Sequence, residues 1–458
     1  MHFEVSERKI LLRIFDVLFV LLALYIIGEI FEFGYFQISS SNFYWTIILG
    51  LYLNVIGTVF EMYNLQVASN QFQIVKSIIL TASTTVLVYL LTPIFTPVLP
   101  SNRMQIVFFL LAVLVALFVW RLIYVHFLAS NRFEKKVILI CDRDQAEELV
   151  TGLENVDPHY KVMGYINSDN TPVLDNDFHY IQHIDVEDLE NFVSKNFVSE
   201  IVIASQKPDA ITVMLYNQLI RLLERGYIIR EYTQVYESIT QRIPVQYVER
   251  DFYRFFPFSR SNQNHLYLLV VRILEVLTSV IGLVAGMLLL PIILIGNAIG
   301  NRGNLFYTQE RVGKNGEIFK ILKFRTMVRD AESNGAVFTT INDSRITSFG
   351  KFLRKSRIDE FPQFLNILKG EMAVIGPRPE RPVFVNEIAE VMPFYETRHV
   401  IKPGLTGWAQ VNYSYGETID DSLIKLQYDL YYIKHRSLFL DVNIIVKTLS
   451  TVVFYRGQ

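Results

Sequence analysis

The chain has 458 residues, more than one domain ordinarily holds, so two or three separately cored units are expected. With 51% hydrophobic and 19% charged residues it is too apolar for a wholly water-soluble protein and too charged for one embedded throughout, which points to a membrane protein with a large wet portion. A formal charge of −2 argues against nucleic acid as a principal partner, and the single cysteine, Cys141, excludes an intramolecular disulfide framework and a multi-thiolate metal site.

Apolar stretches at residues 10–30, 43–60, 72–95 and 104–128 each approach the ~20 residues that span a bilayer as a helix, so residues 1–130 read as a four-helix transmembrane bundle. The first stretch is too long for a signal-peptide core and lacks a small-residue cleavage site after it, so it is expected to be retained. Arg8, Lys9 and Arg13 lie at its start and Arg132, Lys135 and Lys136 follow the fourth stretch, whereas residues 32–42 contain neither Lys nor Arg. The positive-inside rule then places both ends of the bundle in the cytoplasm.

Residues 131–260 change texture. VILIC (137–141), VMGYI (162–166), IVIA (201–204) and YIIREY (227–232) read as strands, alternating with amphipathic helices near 145–153, 187–195 and 210–225. This pattern predicts a Rossmann-like α/β domain. Its first turn, Cys141-Asp142-Arg143-Asp144, has no glycine and two acids, which opposes close approach of a phosphate. A scaffold or regulatory role is favoured over nucleotide binding, with self-association as a homodimer or binding to partner proteins as the use of its surface.

A further apolar run at 273–299 has no charge between Val276 and Ile295 and contains Pro291, with Gly282, Gly286 and Gly296 around it. Its length permits a full crossing; equally, a re-entrant helix broken at Pro291 would enter and leave on one face.

From Arg302 to Arg381 there are fifteen Lys or Arg against nine Asp or Glu, which suggests an anionic substrate. Two strand-like runs flank Asn315-Gly316, a dipeptide suited to the positive φ angles of a tight hairpin turn. Lys323 and Arg325, two residues apart on one strand face, would hold a phosphate between them or form a solvated strand end. In Arg354-Lys355-Ser356-Arg357-Ile358-Asp359-Glu360 the bases lower carboxylate pKa values and keep both acids ionised. Such a pair is either a surface salt-bridge cluster or a nucleophile beside a cation-binding carboxylate. Arg378 stands between two prolines, on a stiff backbone that suits anion binding.

Together these segments are recognisable. QERVGKNGEIFKILKFRTM from Gln309, RITSFGKFLRKSRIDEFPQFLNILKGEM from Arg345, IGPRPERP from Ile375 and KPGLTGWAQVNY from Lys402 resemble the bacterial sugar transferase family. These are large monotopic phosphoglycosyl transferases of the polyprenyl-phosphate hexose-1-phosphate transferase type, acting in exopolysaccharide biosynthesis. The N-terminal helices and glycine-poor α/β domain match the family's long members. The resemblance implies a membrane α+β architecture: four transmembrane helices (1–130), a Rossmann-like domain (131–260), a re-entrant membrane helix (265–300) broken at Pro291, and a mixed α/β catalytic domain (301–458). Two departures stand out, Leu290 where the family often has Ser and Ile358 where it commonly has Leu.

The resemblance further implies that Asp359 attacks the sugar-bearing phosphate of a UDP-sugar, releasing UMP, and that polyprenyl (undecaprenyl) phosphate then takes the sugar phosphate. Glu360 would bind Mg²⁺, Arg354 and Arg378 would clamp phosphates, and Lys323 and Arg325 would assist. The implied location is the bacterial inner membrane with the catalytic domain facing the cytoplasm, and the implied partners are membrane lipid and proteins of polysaccharide assembly and export. A membrane-bound sensor or a non-catalytic scaffold of an assembly complex are the alternatives; neither uses the acid dyad. His399 reads as structural, Trp408, Tyr413 and Tyr415 as interface or core packing, and Tyr428, Tyr431 and Tyr432 as a buried helix face or a membrane-facing one.

Overall fold

Long apolar segments without a polar face form helices that must be covered by one another or by lipid. In the computed structural model they form α1 (Val5–Phe31), α2 (Phe43–Val59), α3 (Gln71–Leu91) and α4 (Met104–Ile123), the last continued by a π turn, Tyr124–Leu128. The structure describes residues 5–31, 34–36, 42–63, 68, 71–128, 135–154, 160–168, 181–204, 211–245, 264–301, 303–328, 331, 343–392, 394–413 and 418–453. The chain divides into two compact units, Met1–Thr240 and Gln241–Gln458.

In the first unit α1, α3 and α4 are each long and apolar enough to cross a membrane, while α2, at 17 residues, is shorter. Helix α4 packs against α1 and α3, and α2 against α3, around Leu24, Leu53, Ile78, Val113 and Leu117. The α/β region follows with β1 (Lys135–Cys141), α5 (Ala146–Glu154), β2 (Tyr160–Asn167), β3 (Gln182–His183), α6 (Leu189–Asn196), β4 (Glu200–Ile203), α7 (Val213–Glu224), β5 (Ile228–Glu231) and α8 (Tyr232–Thr240). The strands form one parallel sheet in the order β3-β2-β1-β4-β5, the doubly wound arrangement expected of its alternating elements. Tyr232, expected to end a strand, instead opens α8, where its buried ring packs beside Tyr236. Asp142 in the first turn accepts a hydrogen bond from Ser168 Oγ at 2.5 Å.

The second unit begins its described helices with α9 (His265–Gly296), capped by Asn264, whose Oδ1 accepts from the backbone of Leu266 and Tyr267. Pro291 lies inside this helix, which remains helical on both sides of it, so the expected break is not a gap in the helix. With the following π turn, Asn297–Asn301, the helical run reaches 37 residues.

Downstream lie β6 (Phe306–Val312), β7 (Ile318–Phe324), α10 (Ser348–Lys355), α11 (Gln363–Lys369), β8 (Ala373–Ile375), α12 (Pro382–Val391), β9 (Gly404–Thr406), α13 (Trp408–Asn412), α14 (Ile419–His435) and α15 (Leu438–Val453). Strands β6 and β7 pair antiparallel about a five-residue connection, wider than the tight turn expected; Asn315 and Gly316 do take positive φ, and Gly313 N–H closes it on the Glu317 carbonyl at 2.7 Å. Strands β8 and β9 pair in parallel. Val385, Ile388, Trp408, Leu426, Leu430, Ile433 and Ile444 share the largest core of this unit.

Helix α9 is fastened to this unit along its whole length. Tyr267 donates to Asp441 (2.6 Å), Arg272 to the carbonyls of Ile367 and Leu368 (both 2.8 Å), Asn297 to that of Gly303 and Asn301 to that of Arg325 (both 2.8 Å). Between these anchors a Cβ on Gly282 would strike the Phe364 ring and one on Gly296 the Phe349 ring. The opposite face carries exposed Ile281, Val284, Met287, Leu288, Ile292, Ile295 and Ile299. Gly282→Leu is therefore expected to destabilise this unit by about 1–3 kcal/mol through overpacking; an unchanged thermal unfolding midpoint would show that α9 does not pack there.

Candidate active site

The acid dyad sits in a short 3₁₀ turn, Ile358–Glu360, between α10 and α11. Thr347 caps α10 by accepting from Gly350 N–H at 2.9 Å, and the helix stops because Arg357 turns left-handed at φ 59°. That reversal puts both carboxylates on the inner side, with Asp359 8% and Glu360 9% exposed.

Three cations from three segments converge on Glu360. Lys323 Nζ of β7 is 3.7 Å from Oε1, Arg378 Nη1 is 3.5 Å from the same oxygen, and Arg357 Nη1 is 3.4 Å from Oε2. Lys323 and Arg378 each have their own support. Asn366 of α11 clips β7 in place beside Lys323, accepting from Leu322 N–H (3.1 Å) and donating to the Lys320 carbonyl (2.8 Å). Arg378 follows β8 in a segment pinned by Gly404 N–H to the Pro377 carbonyl (2.8 Å), Arg311 to the Pro379 carbonyl (3.0 Å) and Val312 N–H to the Glu380 carbonyl (2.9 Å). Buried Arg398 donates to the Arg378 carbonyl (3.1 Å), to Asp429 (2.7 Å) and to Tyr395 Oη (2.6 Å). A Cβ on Gly376 would meet the Lys402 carbonyl, and one on Gly404 the backbone of Gly376, so these glycines permit the close strand approach that presents Arg378.

Asp359, by contrast, makes no ion pair among the described residues. Burial and the neighbouring Glu360 charge push its carboxyl well above the usual range, against the pull of Lys323, Arg354 and Arg357. Burial also opposes ionisation of Glu360, yet Lys323, Arg378 and Arg357 together hold its carboxyl below the usual range. The sequence-based expectation that the bases keep both acids low thus holds for Glu360 and fails for Asp359, because the cations lie closest to one member of the pair. Burial pushes the Lys323 ammonium down to about 8, with Glu360 opposing the shift.

Arg354 faces the dyad from α10, its Nε bonded to Thr326 Oγ1 at 2.9 Å. Asp359, Glu360, Lys323, Arg354 and Arg378 are therefore brought together. Arg325 is not paired with Lys323: it lies past the end of β7 and donates to the Asn301 carbonyl at 3.3 Å, against Gly303. Sequence reasoning missed Arg357 as a ligand of Glu360, and missed the Arg398–Asp429 pair behind Arg378; the first was legible as a base three residues before an acid, the second only from the fold.

The aromatic residues near the KPG segment make packing and hydrogen-bond contacts within this unit. Trp408 is buried, donates to the Gln241 carbonyl (3.2 Å) and lies under Lys447; Tyr413 donates to Asp421 (2.5 Å); Tyr432 donates to Asp441 (2.7 Å), with Tyr428 and Tyr431 packed on the same core. Tyr415 lies outside the described residues. Burial and the adjacent Arg398 lower His399 to about 4, leaving it neutral at pH 7.

Among the described residues no three or more His, Cys, Asp and Glu side chains gather as a metal cage. Two adjacent carboxylates nonetheless suit Mg²⁺, which takes one or two carboxylates and completes its shell with water and substrate phosphate oxygens.

Residues 266–455 match the family model described as bacterial sugar transferase. A Bacillus subtilis protein named putative undecaprenyl-phosphate N-acetylgalactosaminyl 1-phosphate transferase is 42% identical over 141 residues, 31% of this chain and 79% of the relative. The chain belongs to the bacterial sugar transferase family. Two larger members are similar over less of their length. The Aeromonas hydrophila UDP-N-acetylgalactosamine-undecaprenyl-phosphate N-acetylgalactosaminephosphotransferase is 40% identical over 222 residues (48% of this chain, 51% of the relative). The Xanthomonas campestris pv. campestris UDP-glucose:undecaprenyl-phosphate glucose-1-phosphate transferase is 40% identical over 193 residues (41% and 40%). The chain thus spans about half of the length of the first of these larger relatives and 40% of the second, and the family match at 266–455 falls on the unit that carries the dyad.

The two carboxylates have opposite linkage. A raised folded-state pKa means the fold favours protonated Asp359, so its ionisation costs stability as pH rises through that value; a lowered one means Glu360 contributes stability that is lost as pH falls through it. At pH 7, Asp359→Asn is expected to raise unfolding stability by on the order of 1 kcal/mol, and Glu360→Gln to lower it by about 1–3 kcal/mol. Calorimetry of both variants checks the signs; destabilisation by Asp359→Asn would contradict the asymmetry.

Proposed function

We propose that the protein transfers a sugar 1-phosphate from a UDP-sugar to polyprenyl (undecaprenyl) phosphate, initiating assembly of an exopolysaccharide or O-antigen glycan. The observation that carries this reading is the division of labour in the dyad: one carboxylate neutralised by three cations, the other buried beside it without an ion pair among the described residues. A desolvated carboxylate with little to stabilise its charge is a better nucleophile than a salt-bridged one. The names of the relatives support the substrate classes.

In the first step an Asp359 oxygen attacks the sugar-bearing phosphorus of the UDP-sugar. The bond from that phosphorus to the bridging oxygen breaks, UMP leaves with the electron pair, and the sugar phosphate is held on Asp359 as an acyl phosphate. In the second step a phosphate oxygen of polyprenyl phosphate attacks the same phosphorus, the carboxylate is regenerated, and a polyprenyl diphosphate sugar departs. Arg354 and Arg378 lie where phosphate oxygens would meet guanidinium groups, and Lys323 adds an ammonium. Glu360 would be the residue to hold Mg²⁺, which when bound neutralises phosphate charge. Arg325 is left a structural role.

The same reading places α9 in one leaflet. Its 37 helical residues would reach ~55 Å if straight, yet attachments to the catalytic unit recur from Tyr267 to Asn301, and Gly286 lies against Phe361 beside the dyad. A full crossing would carry the dyad into hydrocarbon; an embedded helix with its apolar face in lipid keeps it at headgroup level, where polyprenyl phosphate presents its phosphate. The bacterial inner membrane, with this unit on the cytoplasmic side, is the location consistent with a nucleotide-sugar donor.

Asp359→Asn is expected to reduce UMP release from UDP-sugar and polyprenyl phosphate by at least ~10³-fold, and normal release would sink the assignment. Glu360→Gln should weaken the Mg²⁺ dependence as well as the rate. Because Asp359 must be ionised to attack and its pKa is raised, kcat/KM should climb with pH through the acid range above an ordinary aspartate's pKa; a rate already flat at pH 5 would show that another group is the nucleophile.

A further inference from the structure

The transmembrane bundle holds a charged cluster that the proposed transfer does not use. Arg121, near the end of α4, is 1% exposed and donates from Nη2 to Oδ2 of fully buried Asp16 on α1 at 2.7 Å. Arg13, three residues before Asp16, donates to Thr58 Oγ1 of α2 at 3.3 Å. Both guanidinium groups lie over the ring of Tyr63, at 4.9 Å for Arg13 and 5.8 Å for Arg121.

A clasp between α1 and α4 needs one cation for its one carboxylate, and Asp16–Arg121 supplies that. Arg13 then adds a positive charge that none of these residues balances, in a buried cluster where an unpaired charge is expensive. Arg121 Nε and Nη1 and Arg13 Nε are buried without a hydrogen-bond partner among the described residues, while Tyr63 Oη turns to Asp16, the one carboxylate of the cluster. Several unmet donors and a surplus positive charge call for an anion with several oxygens.

The surroundings indicate where that anion comes from. Arg13 is ~12 Å along α1 from its first residue, so it lies near the headgroup boundary, and its side chain is partly exposed. Ile10, Ile14 and Leu18, on the same side of α1 at four-residue spacing, are exposed apolar residues beside it. A free phosphate has no use for that strip, whereas an acyl chain does. We propose that Arg13 and Arg121 hold the phosphate of an anionic lipid from the leaflet in which α1 begins, with its chains along Ile10, Ile14 and Leu18.

The test uses the full chain in nanodiscs of phosphatidylcholine with increasing phosphatidylglycerol, reading the thermal unfolding midpoint. The midpoint of the unaltered protein should rise with phosphatidylglycerol and saturate. Arg13→Gln, which leaves the Asp16–Arg121 pair intact, should need at least about tenfold more of the lipid for the same rise, the loss of one charge-assisted hydrogen bond, while Arg13→Lys should retain most of the response. Equal responses in the unaltered protein and Arg13→Gln, or no response in either, would overturn the proposal. So would inorganic phosphate in pure phosphatidylcholine nanodiscs reproducing the rise, which would assign the site to a free anion. UMP release, which depends on the other unit's dyad, is read in parallel so that a failure of the proposed transfer is distinguishable from a failure of this site.

Discussion

Three cations drawn to one carboxylate leave its neighbour with burial only partly offset, and the architecture of the C-terminal unit serves that imbalance. Lys323 comes from a strand clipped by Asn366, Arg357 from a left-handed turn that ends α10, and Arg378 from a segment held between β6, β9 and Arg398. A cation paired directly with Asp359 would lower its carboxyl's pKa further and with it the nucleophilicity on which the proposed transfer depends.

Much of this was legible in the sequence, for identifiable reasons. Apolar runs announce the helices of the bundle because lipid removes any need for a polar face, and alternating strands and helices announce the parallel sheet. The positions of Asp359, Glu360 and Arg378 were legible because adjacent acids among bases, and an arginine between prolines, are poor choices for ordinary packing. What local patterning does not encode is which cation meets which acid. Lys323 and Arg325 share strand spacing, yet β7 ends at Phe324 and Arg325 turns to Asn301. The basic segment predicts lowering of both carboxylates, whereas only its Arg357 meets Glu360, joined there by Lys323 and Arg378 from elsewhere in the fold. Likewise α8 was hidden because Tyr232 continues an apolar run in sequence but begins a helix in space.

The two departures from the family pattern meet in one place. Leu290 of α9 and Ile358, immediately before the dyad, pack in the same apolar cluster with Ile293, Phe324, Leu353, Phe349 and Phe361. This cluster joins the apolar helix α9 to the turn that carries the carboxylates, so changes in side-chain shape on one side are felt on the other. The helix and the dyad are in that sense one packed element, which explains why α9 is fastened to the catalytic unit at both ends and between.

The most direct test of the central claim is mass spectrometry of the purified protein incubated with a UDP-sugar in the absence of polyprenyl phosphate. The account predicts a sugar-phosphate adduct on the peptide containing Asp359, discharged when polyprenyl phosphate is added. Turnover with both substrates present, but with the adduct on another residue or no adduct under rapid quenching, would contradict it.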